Sequence, residues 1–169
     1  MAASPSLDTL RAAIVTEIKK AMNAATPANV LTVHSYRRFW RDVQKFNSLF
    51  RRASPDLLPG KLNGWMVTRT RTREVETAER WRFYELHRFE LHGYFGVQDE
   101  DPLATEKVFQ DQIEVVRDNL RLNTSVFGNM ERVEPVTQVE QIAPVTIGDF
   151  TCWYALLTLE TEAIETKTL

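Results

Sequence analysis

The segment Phe150-Thr151-Cys152-Trp153-Tyr154-Ala155-Leu156-Leu157-Thr158-Leu159-Glu160-Thr161-Glu162 decides the fold. Successive side chains of a strand point to opposite faces. Phe150, Cys152, Tyr154 and Leu156 therefore share one face, and Trp153, Ala155, Leu157 and Leu159 share the other. Both faces are apolar, which is the pattern of a strand covered on both sides, so this segment belongs inside a sheet. Only three helical patterns elsewhere in the chain are available to cover that sheet, which leaves room for a neighbouring subunit to supply part of the cover.

Working toward the N-terminus, a second period-two pattern begins near Asn63. Trp65, Val67, Arg69, Arg71 and Arg73 alternate with Met66, Thr68, Thr70 and Thr72, so strict alternation puts the three arginines in one row. After Thr77-Ala78-Glu79, the run Arg80 to Phe95 alternates Trp81, Phe83, Glu85, His87, Phe89 and Leu91 against Arg82, Tyr84, Leu86, Arg88 and Glu90. Together these form a long hairpin. Its arms exceed the usual five or six residues or so, so its tip is expected to leave the domain body and meet something else.

Three helical stripes flank the strands. Leu7, Leu10, Ile14, Ile18, Ala21 and Met22 predict a helix over 7–24, with Ser6 as its cap. Val30 to His34 reads as a short strand leading to Ser35, a second capping residue. From there Tyr36, Phe39, Trp40, Val43, Phe46 and Phe50 predict a helix with an aromatic face, opposite Arg37, Arg41, Lys45 and Arg52. Asp99-Glu100-Asp101-Pro102 opens a third helix reaching about Leu122, with the stripe Phe109, Ile113, Val116 and Leu120. Asn123 to Gly148 is poorly patterned and interrupted by Pro135 and Pro144; one short strand is expected at 136–142. The result is an α+β fold: a mostly antiparallel sheet with a long hairpin, packed by about three amphipathic helices. One domain over 1–169 suits this length, with 1–6 and 165–169 as flexible ends.

Chain-wide properties exclude several classes. A net charge of -2 marks neither a nucleic-acid nor a membrane binder. One cysteine, Cys152, cannot form an intramolecular disulfide and is compatible with a reducing compartment. No apolar run approaches the ~18 residues of a membrane span, and Met1 to Pro5 has no signal-peptide character, so neither spanning nor secretion by that route is expected. Charge layout says more than charge total. Arg37 to Arg82 holds 12 lysines and arginines against 5 acids, whereas Gln98 to Leu169 holds 5 against 14. A molecule so divided suits head-to-tail contact between copies; the alternative is that solvated charges segregate by chance.

Chemistry-bearing groups are sparse. His34 lies in the first short strand, while His87 and His92 are an odd number of residues apart on one strand and so face opposite sides. Glu85 and His87 share a face, as a general acid/base pair would, although such polar pairs are common on hairpins. Asp99, Glu100 and Asp101 lack the spacing of a calcium loop, and Cys152 between aromatic neighbours reads as a packed thiol. There is no phosphate-cradling glycine loop and no nucleophile elbow. Enzyme activity, a cofactor and a metal are not expected.

The opening Leu7-Asp8-Thr9-Leu10-Arg11-Ala12-Ala13-Ile14, the entry Val33-His34-Ser35-Tyr36 into an aromatic segment, the strand start Asn63-Gly64-Trp65-Met66-Val67, the stretch Tyr94-Phe95-Gly96-Val97 with Asp99, and the closing Gly148 to Leu159 follow in an order that resembles the tail terminator (tail completion) proteins of long-tailed phages, prophages and gene transfer agents. The resemblance spans Leu7 to about Glu165 and is one of order and texture. It implies a virion protein at the head-proximal end of the tail, assembled in the host cytoplasm. Six copies would close into a hexameric ring that caps the tail tube, stops its polymerisation and offers the head-tail joining surface. Its partners would be copies of itself, the tube protein and a head-side neck or connector protein; genomic DNA would pass through the lumen without specific binding, and no membrane is involved. Arg69, Arg71 and Arg73 are the candidate intersubunit or tube contacts. The alternatives are a head-completion connector and a nucleic-acid-binding module that uses the arginine row.

Overall fold

The computed structural model describes residues 6–25, 32–50, 62–76, 82–97, 102–122 and 136–166. In chain order the elements are α1 (Leu7–Ala25), β1 (Thr32–His34), α2 (Val43–Phe50), β2 (Asn63–Glu76), β3 (Arg82–Gly96), α3 (Pro102–Leu122), β4 (Val136–Ile147) and β5 (Phe150–Thr166). The five strands form one sheet in the order β1-β2-β3-β5-β4. Every pairing is antiparallel except that of the short edge strand β1 with β2. The fold is α+β, and β5 lies inside the sheet between β3 and β4.

Helices lie on both faces. On one, the buried stripes of α1 (Leu10, Ile14, Ile18, Ala21) and α3 (Phe109, Ile113, Val116, Leu120) pack with Trp65, Val67, Phe89, Leu91, Ala155, Leu157 and Leu159. At roughly 1.5–3 kcal/mol per large side chain, this layer is the main source of stability. Ser6 caps α1 as its sequence predicts, its Oγ accepting from the Thr9 amide at 3.2 Å. Glu17, buried in α1, is held by Lys20 at 2.7 Å and by the Asn119 side chain of α3 at 3.0 Å, which ties the two helices together.

On the other face α2 brings Phe46 and Phe50 onto Leu62, Met66, Tyr94 and Cys152. The Phe50 and Tyr94 rings are 4.7 Å apart, and Trp40 meets Phe46 edge-on at 5.0 Å. Close approach on each face depends on a glycine. A Cβ on Gly64 would lie 2.8 Å from the Phe50 ring, and one on Gly93 would lie 2.9 Å from the indole of Trp65.

Two expectations require correction. The aromatic helix does not begin at Ser35 but at Val43. Asp42 is the cap actually used: its carboxylate accepts from the Lys45 amide at 2.8 Å and its carbonyl from the Phe46 amide. The segment before it is irregular, because the Arg38 amide points at the Met66 sulfur, 3.0 Å away, rather than into a helical ladder. Tyr36 and Phe39, expected on a buried face, are 54% and 81% exposed. The short strand at 136–142 is really β4, which runs to Ile147. It passes through Pro144, a residue that an edge strand such as β4 can accommodate. Thr77-Ala78-Glu79, Asp99 to Asp101, Arg52 and both expected flexible ends other than Ser6, Glu165 and Thr166 lie outside the described residues.

Candidate interaction surface

Along the hairpin, β2 emerges from its cover. β2 is buried from Asn63 to Val67 and exposed from Arg69 to Glu74, yet its pairing with β3 continues to Glu76 opposite Phe83. β5 follows β3 to Thr166 opposite Arg82, whereas β4 joins β5 only from Val136 opposite Glu160. Beyond Glu160 the described sheet is therefore a three-stranded arm of β2, β3 and β5.

The arginine row is broken by a bulge. Arg69 pairs with Phe89 but Arg71 pairs with Arg88, so Thr70 is an extra residue and the alternation changes sign there. Arg69 stays on the face of α1 and α3, donating to the Thr72 hydroxyl at 3.3 Å. Arg71 and Arg73 register with Arg88 and Leu86 on the opposite face. Like charges directly opposite are unfavourable. Arg88 is compensated by Glu140 at 3.4 Å and by its other cross-strand neighbour, Glu160. The three-arginine surface that a nucleic-acid module would need is thus divided between two faces.

Both histidines of β3 are built into the sheet on opposite faces, as their odd spacing predicts. His87 is buried, with Nδ1 3.0 Å from the Thr72 hydroxyl and Nε2 3.3 Å from the Glu85 carboxylate. The expected Glu85–His87 pair exists, and the Thr72 hydroxyl occupies the other ring nitrogen. His92 shares the α2 face, with Nδ1 2.9 Å from the Tyr154 hydroxyl and Nε2 3.4 Å from Glu90. Burial pushes His92 below the usual imidazole range, opposed by Glu90 and aided by Arg37. His34 Nε2 meets the Leu49 carbonyl at 2.7 Å, joining β1 to α2. Burial also raises the Cys152 thiol to about 12, which leaves it protonated and unreactive. Among the described residues no cluster of three or more histidine, cysteine or acidic side chains is arranged to hold a metal ion, and no helix is long and apolar enough to cross a membrane.

One surface escaped sequence reasoning. Tyr36-Arg37-Arg38-Phe39-Trp40-Arg41 leaves β1 as irregular chain and keeps everything but Trp40 exposed. Arg11 of α1 lies 4.7 Å over the Tyr36 ring, and Arg37 reaches toward Glu90 at 3.9 Å. Tyr36 and Phe39 are the two most exposed large apolar side chains among the described residues. The available signal was Asp42, a cap as good as Ser35 and placed immediately before a shorter apolar run. Compared with known proteins, the chain matches no family model and no curated sequence.

Proposed function

We propose that this chain is a tail terminator: a structural protein whose copies form a ring, of six by the resemblance described above, that caps a phage tail tube and provides the surface for head joining. The observation that carries the reading is the stretch of β2 beyond the bulge, exposed through Glu74 and displaying Arg71 and Arg73 beside a sheet packed by helices on both faces. A tube of identical subunits always ends in a surface able to accept another copy, since a heterologous contact repeats without closing along the axis. A ring that matches the tube on one side and differs on the other stops growth by mismatch, and the segregation of basic and acidic residues along the chain supports two unlike sides.

Deleting the chain from its phage should leave DNA-filled heads beside unattached tails whose tubes have grown past normal length, and purified protein should bind tube ends and restore joining. Tails of normal length beside heads that leak DNA would make the protein a head-completion connector instead.

A further inference from the structure

The large exposed apolar side chains among the described residues fall into two groups at opposite sides of the sheet. Tyr36 and Phe39 follow the edge strand β1, whereas Ile142, 36% exposed, lies on the other edge strand β4 and Val108, 48% exposed, on α3. α3 packs over the β4 side and α1 over the β1 side. Four interstrand spacings separate β1 from β4, about 19 Å, so neither group can cover the other within one chain.

Charge follows the same division. The segment 35–42 carries three arginines and one aspartate, with Arg37, Arg38 and Arg41 exposed. The described residues of α3, β4, β5 and the Gly148-Asp149 turn carry nine acids against three bases. Exposed members of the acidic set include Asp111, Glu114, Asp118, Glu140, Asp149 and Glu160.

From this arrangement we infer that the β1 side of one copy docks on the α3–β4 side of the next, Tyr36 and Phe39 meeting Val108 and Ile142 while Arg37, Arg38 and Arg41 face the acidic side. The partner is a second copy of this chain. Two different, complementary patches on opposite sides of one subunit make a heterologous contact, the kind that generates rings rather than two-fold dimers. The inference deepens the ring reading proposed above and rests on it, and it frees the arginine arm to contact the tube.

The test is covalent capture. Cys152 is buried, so cysteines introduced on the surface report alone. The double variant F39C/I142C, oxidised under native conditions, should give a ladder of covalent oligomers. A mixture of the single variants F39C and I142C should stop at mixed dimers, and neither single variant should cross-link to itself above the level of an exposed control, S48C. Self-cross-linking of F39C as strong as the mixed product would overturn the inference in favour of a two-fold contact, and absence of mixed product above the control would overturn it outright. Far-ultraviolet circular dichroism checks that each variant folds. Tube-end binding measured on the same preparations separates the two readings. Capping without a 39–142 cross-link removes this pairing and leaves the terminator; cross-linking without capping does the reverse.

Discussion

Residues 63–67 and 69–74 of β2 belong to one strand but occupy two environments. The first stretch is buried between α1 and α3 on one face and α2 on the other, and each side chain meets a shaped neighbour: Trp65 over Gly93, Met66 beneath α2, Val67 among the aliphatic side chains of the main core. The second is exposed and carries three arginines and two threonines, with hydrogen bonds from Arg69 to Thr72, between Thr72 and His87, and from the Thr70 hydroxyl to the Arg88 carbonyl. The change comes at the Thr70 bulge. Stability resides before it, and whatever the arm is for resides after it. That division makes substitutions on its two sides differ in kind as well as size.

The largest expected effect is at Trp65, fully buried against Phe109 with ring centroids 6.4 Å apart. Trp65→Ala should cost about 3–5 kcal/mol, a large share of the stability of an ordinary domain, measured by urea unfolding. Gly93→Ala tests the same contact from its other side and should cost about 1–3 kcal/mol by overpacking. The atoms it would strike belong to the outer six-membered ring of the indole. In a Trp65→Phe background the alanine should therefore cost less, by a coupling of about 1 kcal/mol in a double-mutant cycle. Additive effects would show that the strand, and not the indole, objects to the methyl group.

A smaller effect is expected at the edge of the covered region. His92 is held below its ordinary value of 6.5, first by burial, so the unfolded chain binds its proton at a higher pH than the folded one. Its neutral form contributes stability that is complete above pH 6.5 and is lost as pH falls through 6.5 toward the folded value. His92→Gln keeps an acceptor for the Tyr154 hydroxyl but cannot titrate in this range. The variant should lose less stability than the parent between neutral pH and mildly acidic pH, compared by urea midpoints at each pH. Parallel curves for the two proteins would assign the acid sensitivity elsewhere.

What could be read in advance depended on whether periodicity survived. The stripes of α1 and α3 are unbroken, and so are the two apolar faces of β5, and all three elements stand where their patterns put them. Bulges erased the rest. Period two fails at Thr70, which scattered an apparent row of arginines over two faces, and again at Glu140, where the pairing of β4 slips between Val139 and Gln141 and its second half looked like a loop. The aromatic segment failed for a different reason. Tyr36, Phe39, Trp40 and Val43 have helical spacing, but Asp42 supplies a cap inside the stripe and the backbone before it bonds to Met66 instead. Helical spacing places Tyr36 and Phe39 on a core face, which conceals their exposure.

The smallest effect on stability is expected on the arm, and there the bulge supplies an internal control. Arg71 and Arg73 share a face and are exposed, and Arg69 lies on the opposite one. Reversing exposed charges away from a packed contact shifts stability by no more than about 0.5 kcal/mol, so Arg71→Glu/Arg73→Glu and Arg69→Glu should both unfold close to the parent in urea. Removing Arg71 also relieves its like-charge opposition to Arg88, which places any change for the pair on the favourable side. Association should separate what stability does not. If the α2 face of the arm meets the tube, the pair variant loses tube-end binding and Arg69→Glu retains most of it. Equal loss in both would mean that the arm is gripped from two sides, as a tip inserted between neighbours would be. Unimpaired binding by the pair variant, in a protein that still caps tubes, would take the arm out of the contact altogether and leave its exposure without a role in capping.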